Sequence, residues 1–184
     1  MNETTKIAVF AVNAKYLNKD SKSCFLRLLT KMKIRHEEIP IIFYVLNGKL
    51  PPFSIHEGLK IATEEDVSHI LFAQSYAVFN DTLYDELESR DYPAVFSPSW
   101  GRNIISLRRG TMKYEAALLR TYSCKDAIKR MIDGKIVTMT DVYKHIVESG
   151  IEPFITIPPV AELHSFEKVR KDAFNAHAND KLSA

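Results

Sequence analysis

Cysteine, glycine and excess charge are all scarce in this chain, and each shortage removes a class of function. Its two cysteines, Cys24 and Cys124, are too few for a disulfide framework in 184 residues. Neither belongs to a C-x-x-C pair or a His/Cys cluster, so four zinc ligands at short spacing are excluded. Both fall inside helical patterns beside apolar residues and read as buried free thiols. With only six glycines, the chain has no G-x-x-x-x-G-K and no G-x-G-x-x-G. P-loop ATPases and dinucleotide dehydrogenases therefore lose their main support. The net charge is +2 and the pI about 8.4, below the value of about 9 typical of DNA-binding domains, so DNA is not an expected partner and any anion site is local. Long apolar runs are missing too. Ile7–Val12, near the N-terminus, is shorter than the roughly 7–15 residues of a signal core. Nothing approaches the roughly 20 residues of a membrane span. The expectation is a cytoplasmic protein with no membrane partner.

What is present is ordinary globular material, 46% hydrophobic and 26% charged. The length suits one α/β domain over residues 1–184, with a frayed tail at 179–184. Ile7–Val12 reads as a strand buried on both faces. Ser21 or Ser23 can cap a helix to Lys33, with Phe25, Leu26, Leu28, Leu29 and Met32 inward. Ile41–Leu46 is a second strand, Ser54–Glu65 a helix, His69–Ala73 a third strand. Asn80 or Asp81 caps a helix carrying Leu83, Tyr84 and Leu87. Ala94–Ser97 is a fourth strand, with a return strand at Asn103–Arg108. Ser123–Asp133 is a helix closed by a left-handed cap at Gly134. Thr140-Asp141 opens another helix, closed by Gly150. Phe154–Ile157 and Ser165–Ala178 supply a last strand and helix. Alternating strands and helices predict a mostly parallel sheet with helices on both faces.

In such sheets ligands bind beyond the carboxyl ends of the strands. That selects the loops Asn13–Lys22, Asn47–Pro52, Gln74–Asn80 and Pro98–Asn103. The first places Lys15, Lys19 and Lys22 before a helix N-terminus, either a phosphate cradle or a solvated basic loop. The last offers Gly101 for close backbone approach, Arg102 for a phosphate or carboxylate, and Asn103 for a base, or else an ordinary turn under Trp100. The histidines (His36, His56, His69, His145, His164, His177) show no metal spacing, and no nucleophile–base arrangement is legible. Of these, His56 and His164 fall near the expected ligand edge. The acidic start Asp81, Asp85 and Glu86 is explained by the helix dipole alone.

At these positions the chain resembles MobA-like nucleotidyltransferases, nearest the 2-phospholactate guanylyltransferases, with archaeal cobinamide-phosphate guanylyltransferases as cousins. Val12-Asn13-Ala14-Lys15-Tyr16-Leu17 … Lys22-Ser23 stands where that branch has V-K-P-L … A-K-S-R-L. Ile55-His56-Glu57-Gly58-Leu59 stands for its L-N-E-G/A-L helix start, and Ser97–Leu107 for its Pro-x-x-Gly-Gly-Thr-Asn turn. Glu162–Glu167 stands for its late Asp-x-Asp-Thr-Pro-Glu-Asp segment. The resemblance implies a GT-A-like nucleotidyltransferase fold and an NTP or nucleotide-sugar as partner. A small phosphorylated molecule would be the acceptor and Mg²⁺ the cofactor. Lys15, Lys22 and Asp81 would be catalytic; Asn13, Lys15, Lys22, Glu57, Gln74, Ser75, Gly101, Arg102 and Asn103 would line the nucleotide site.

The sequence departs from that pattern where the metal should bind. Gln74-Ser75 replaces the aspartate after the third strand, and Leu163-His164 replaces the late aspartate pair. Neutral amides and imidazoles are poor Mg²⁺ ligands. Three functions stay open: a nucleotidyltransferase with Asp81 or Glu57 standing in, an inactive binding or assembly protein, and a glycosyltransferase-type domain. The assembly reading draws on Tyr76, Phe79, Tyr84 and Trp100 as exposed aromatics, possible material for a homodimer interface.

Overall fold

The computed structural model describes residues 6–13, 17, 19–46, 51–98, 113–134, 136, 138–156 and 161–162. Strand β1 (Ile7–Val12) is buried along its whole length, as a continuous apolar run requires when helices cover both faces of a sheet. Helix α1 (Lys19–Arg35) follows, then β2 (Ile41–Val45), α2 (Pro51–Glu64), β3 (His69–Gln74), β4 (Val78–Phe79), α3 (Leu83–Glu88) and β5 (Ala94–Pro98). The chain goes on through β6 (Tyr114–Arg120), α4 (Lys125–Asp133), α5 (Met139–Glu148), β7 (Phe154–Ile155) and β8 (Ala161–Glu162).

Six strands form one sheet in the order β2-β1-β3-β6-β5-β7, and β4 and β8 make a separate two-stranded pair. β1 runs parallel to β2 and β3, and β5 parallel to β7; β6 alone is antiparallel, wedged between β3 and β5. Every parallel strand therefore ends at one edge of the sheet, and β6 begins there. Alternation along the strands sends Phe10, Phe72 and Phe96 to the face covered by α2, α4 and α5. Val9, Leu71, Val95 and Leu118 go to the face covered by α1 and α3. The predicted α/β class with a mostly parallel sheet is the observed one.

Several local expectations give way. Tyr114–Arg120 is an interior strand that the sequence reading left unassigned; its Ala and Leu residues are helix formers, and burial on both faces removes the period-two signal. Neither Ser21 nor Ser23 caps α1, which begins earlier, at Lys19; Ser21 is buried and the Ser23 hydroxyl donates to the Lys19 carbonyl. Leu26 does not join the inward face and is 57% exposed. Gly134 closes α4 without the left-handed cap, at φ −80°, whereas Gly150 after α5 does adopt φ +76°. α5 is capped two residues earlier than Thr140: Thr138 is the cap, and the Asp141 carboxylate accepts from its backbone N–H in a capping box. Phe79 and Tyr84 are buried, at 3% and 2% exposure, because α3 and β4 press them into the core. They offer no interface. The expected strand at 103–108 and helix at 165–178 lie outside the described residues.

Candidate functional site

Buried polar side chains locate the site. Among the described residues these are Ser21, Gln74, Ser75, Ser97, Glu115 and Thr156. All six lie at the same end of the sheet. Gln74 closes β3 and Ser75 follows it, Ser97 is next to last in β5, and Thr156 follows β7. Glu115 is the second residue of antiparallel β6, and Ser21 is in the first turn of α1 after β1. Burying polar groups costs free energy that a packed core avoids. Their confinement to the carboxyl rim, where ligands of open α/β sheets bind, makes this edge the candidate site.

The ends of β1 and β3 are stitched together there. Asn13 leaves β1 with φ +61°, a left-handed turn that asparagine tolerates better than most residues. In that conformation its Nδ2 donates to Gln74 Oε1 at 2.7 Å. Ser75 donates its backbone N–H to the Val12 carbonyl at 2.8 Å and its hydroxyl to the Asn13 carbonyl. Asn13, Gln74 and Ser75, read separately from the sequence, thus form one hydrogen-bonded unit.

An aromatic floor adjoins it under β5 and β6. The Phe96 and Tyr114 rings lie 5.0 Å apart, and Tyr143 of α5 stacks on Tyr114 at 5.1 Å. Burial, then the neighbouring Tyr143, pushes the Tyr114 hydroxyl above its ordinary pKa. It stays neutral and acts as a hydrogen-bonding group rather than an anion.

The other candidates are placed less centrally. Lys22 is exposed in the first turns of α1 and Glu57 is exposed on α2. Asp81 is half-buried in the turn ahead of α3. Neither Asn80 nor Asp81 caps α3, whose N-cap is Thr82 without a side-chain capping bond; Asn80 Oδ1 instead accepts from the Thr82 backbone and hydroxyl at 3.2 and 2.8 Å. His56 is a structural tie: its Nε2 donates to the Ile132 carbonyl of α4 at 2.8 Å. Lys15, Trp100, Gly101, Arg102, Asn103 and His164 lie outside the described residues.

Glu115 is the residue the sequence reading missed. It is 2% exposed and the only charged side chain buried among the described residues. The β5–β6 register jumps from Ser97↔Ala116 to Pro98↔Tyr114, so Glu115 is the extra residue of a β-bulge. Bulges re-aim side chains beside active sites. A glutamate inside a strand of Ala and Leu was the available signal, had that strand been recognised.

The residues at the aspartate's expected place do not fit Mg²⁺. Gln74 is neutral and its oxygen is engaged by Asn13, and among the described residues no three His, Cys, Asp or Glu cluster as a ligand set.

No protein-family model matches the chain, and no curated protein is significantly similar to it. Solved structures do match in fold. The 4-diphosphocytidyl-2C-methyl-D-erythritol synthase of Anaerococcus prevotii superposes at TM-score 0.53 with 11% identity, covering 83% of this chain and 87% of that one. A glycosyltransferase involved in glycosylation of the major capsid of PBCV-1 superposes at TM-score 0.50 with 9% identity, covering 83% and 82%. No helix among the described residues is long and apolar enough to cross a membrane. At such identities the likeness concerns architecture alone: the chain has the α/β fold shared by nucleotidyltransferases and GT-A-like glycosyltransferases.

Proposed function

We propose that this protein binds an NTP or nucleotide-sugar across the carboxyl rim and transfers a nucleotidyl group to a small phosphorylated acceptor. The observation carrying the reading is the gathering of buried polar side chains at that rim, on a fold that nucleotide-using transferases share. In the reaction an acceptor oxygen forms a bond to the α-phosphorus. The bond to the bridging oxygen breaks, and pyrophosphate leaves with the electron pair. Positioning and charge stabilisation carry nearly all of such a step. Lys15, Lys22 and Arg102 would supply positive charge, and the Asn13–Gln74–Ser75 unit would hold the nucleotide beside the β1 and β3 ends. Asp81 is assigned as a further catalytic residue. Gly101, Asn103 and Glu57 complete the lining, as the resemblance to 2-phospholactate guanylyltransferases implies. Mg²⁺, when bound, neutralises charge on the phosphates.

Pyrophosphate release from each NTP, with a panel of phosphorylated acceptors, tests this. GTP turnover would support the guanylyltransferase branch; no release from any NTP would sink the transferase reading.

The Asn13–Gln74 hydrogen bond favours a second reading. An amide pair standing where the enzymes this chain resembles keep a carboxylate suits a protein that binds a nucleotide without turning it over. Nucleotide binding without turnover is the outcome that would select it, and light scattering would show separately whether the protein is a homodimer. A sugar-nucleotide substrate would point instead to a glycosyltransferase.

A further inference from the structure

Gln74 carries a donor that the protein itself does not use. The residue is 7% exposed. Its Oε1 accepts from Asn13 Nδ2, and its Nε2 amide has no partner among the described residues. A donor so nearly buried is costly to leave unbonded. The fold decides where it sits. Gln74 stands two residues beyond Phe72 on β3 and shares its face of the sheet, the face on which Ile55 and Leu59 of α2 pack. Gly58 of α2 rides on the Phe72 ring, close enough that a methyl there would stand 2.9 Å from Phe72 Cε1. From that contact β3 climbs about 7 Å to Gln74. α2 joins two strands that both run parallel to β1, so it runs against them. Its first turn, 51–54, therefore lies about 6–10 Å from Gly58 in the same direction. The unused amide is set under the start of α2. Helix starts collect unbonded N–H groups and partial positive charge. No acidic residue occupies this first turn, and Pro51 and Pro52 carry no N–H, which leaves those of Phe53 and Ser54. Converging donors with no opposing carboxylate suit a phosphate.

We infer that Gln74 Nε2 and the start of α2 bind a phosphate group of the nucleotide directly, so that the protein holds its ligand without a divalent cation. The inference rests on the nucleotide reading above and deepens it. An amide donates to phosphate oxygens itself, whereas a carboxylate at the same place needs a cation between them. The replacement of aspartate by glutamine after β3 is then an exchange of one way of holding phosphate for another. Its distinctive consequence is that nucleotide affinity does not depend on Mg²⁺.

The test is calorimetric titration of the full chain with GTP, CTP and guanosine, in EDTA and separately in MgCl₂, for wild type and Gln74→Glu. That substitution keeps an oxygen for Asn13 Nδ2 and replaces only the free amide, by a negative oxygen. Wild type should bind GTP or CTP in EDTA at least as tightly as in MgCl₂. Gln74→Glu should bind the same nucleotide at least about tenfold more weakly in EDTA, the low end of what a hydrogen bond to a charged group contributes. The loss should shrink in MgCl₂, where a cation can lie between the new carboxylate and the phosphates. Guanosine, which lacks phosphate, should be unaffected. Nucleotide binding by wild type that requires Mg²⁺ would overturn the inference, as would unchanged binding by Gln74→Glu. So would a Gln74→Glu loss that is equal with and without Mg²⁺, the mark of a merely structural glutamine, or one shared by guanosine, the mark of base recognition. Should Gln74→Glu fail to fold, Gln74→Met decides: it removes the donor without adding charge, and undiminished GTP affinity in EDTA, or a loss shared by guanosine, overturns the inference. Each of these results leaves the nucleotide reading standing; no nucleotide binding under any condition sinks that reading and the inference with it.

Discussion

Replacing Gly58 with alanine sets two effects of opposite sign against each other. Gly58 lies inside α2, where alanine is intrinsically better than glycine by about 0.5–1 kcal/mol. A methyl group there, however, would stand 2.9 Å from Phe72 Cε1, 3.0 Å from Leu46 Cδ1 and 3.4 Å from Phe10 Cδ1. Restoring ordinary carbon–carbon contact of about 3.5–4.0 Å needs shifts of more than roughly half an ångström on two sides at once. Phe72 cannot move freely, because it is fully buried and stacks on Phe10 at 5.2 Å, which in turn stacks on Tyr44 at 5.2 Å. Overpacking of this kind costs about 1–3 kcal/mol, so it outweighs the propensity gain. Gly58→Ala should be destabilised by about 1 kcal/mol, and Gly58→Val, with two further methyls and a stiff χ1, by more. For a chain of this length about 1 kcal/mol lowers Tm by about 2–4 °C. Differential scanning calorimetry of both variants gives the answer. An unchanged or higher Tm for Gly58→Ala would refute the reasoning and show that the Phe72 ring yields without penalty.

Asn13→Ala should cost about 1–2 kcal/mol, combining the lost bond to Gln74 with strain at φ +61°. Asn13→Gly, free of the strain, should cost less, and urea midpoints of the pair separate the two contributions. The pKa of His69 is lowered from 6.5, first by burial and then by the Arg120 charge. The unfolded chain therefore takes up a proton that the fold resists, so stability should fall as pH drops from 6.5 through the lowered value. Urea midpoints at pH 7.5 and 5.5 should differ less in His69→Gln than in wild type; an equal difference would place the pH dependence elsewhere. Cys124 is fully buried, and burial drives its pKa up to about 12, so a thiol reagent near neutral pH should modify it only after denaturant is added. Rapid labelling of Cys124 in the native protein would contradict its placement against the Pro93 carbonyl.

Much of the architecture was legible because its cause is local. Ile7–Val12 reads as a fully covered strand, and the apolar spacing of α1 reflects backbone geometry within a few residues. The class followed from the alternation of such segments. Tyr114–Arg120 was illegible for the opposite reason. Its conformation comes from β3 and β5 on either side, and pairing between distant strands overrides the helical preference of Ala and Leu. Leu26 shows the same limit: a helix's apolar residues do not state which of them face the core.

For the site, composition and spacing alone determined what was missing: no glycine-rich phosphate loop and no zinc spacing; the absence of an aspartate after the third strand is what the resemblance to nucleotidyltransferases brings out. They also named Asn13, Gln74 and Ser75 as neighbours of a ligand edge. Only the tertiary structure decided that these three form one hydrogen-bonded unit. Only it carried Glu115 to the same rim from the far end of a strand pairing. The physical reason is that a motif encodes chemistry along the chain, whereas burial and approach are set by contacts between segments far apart in it.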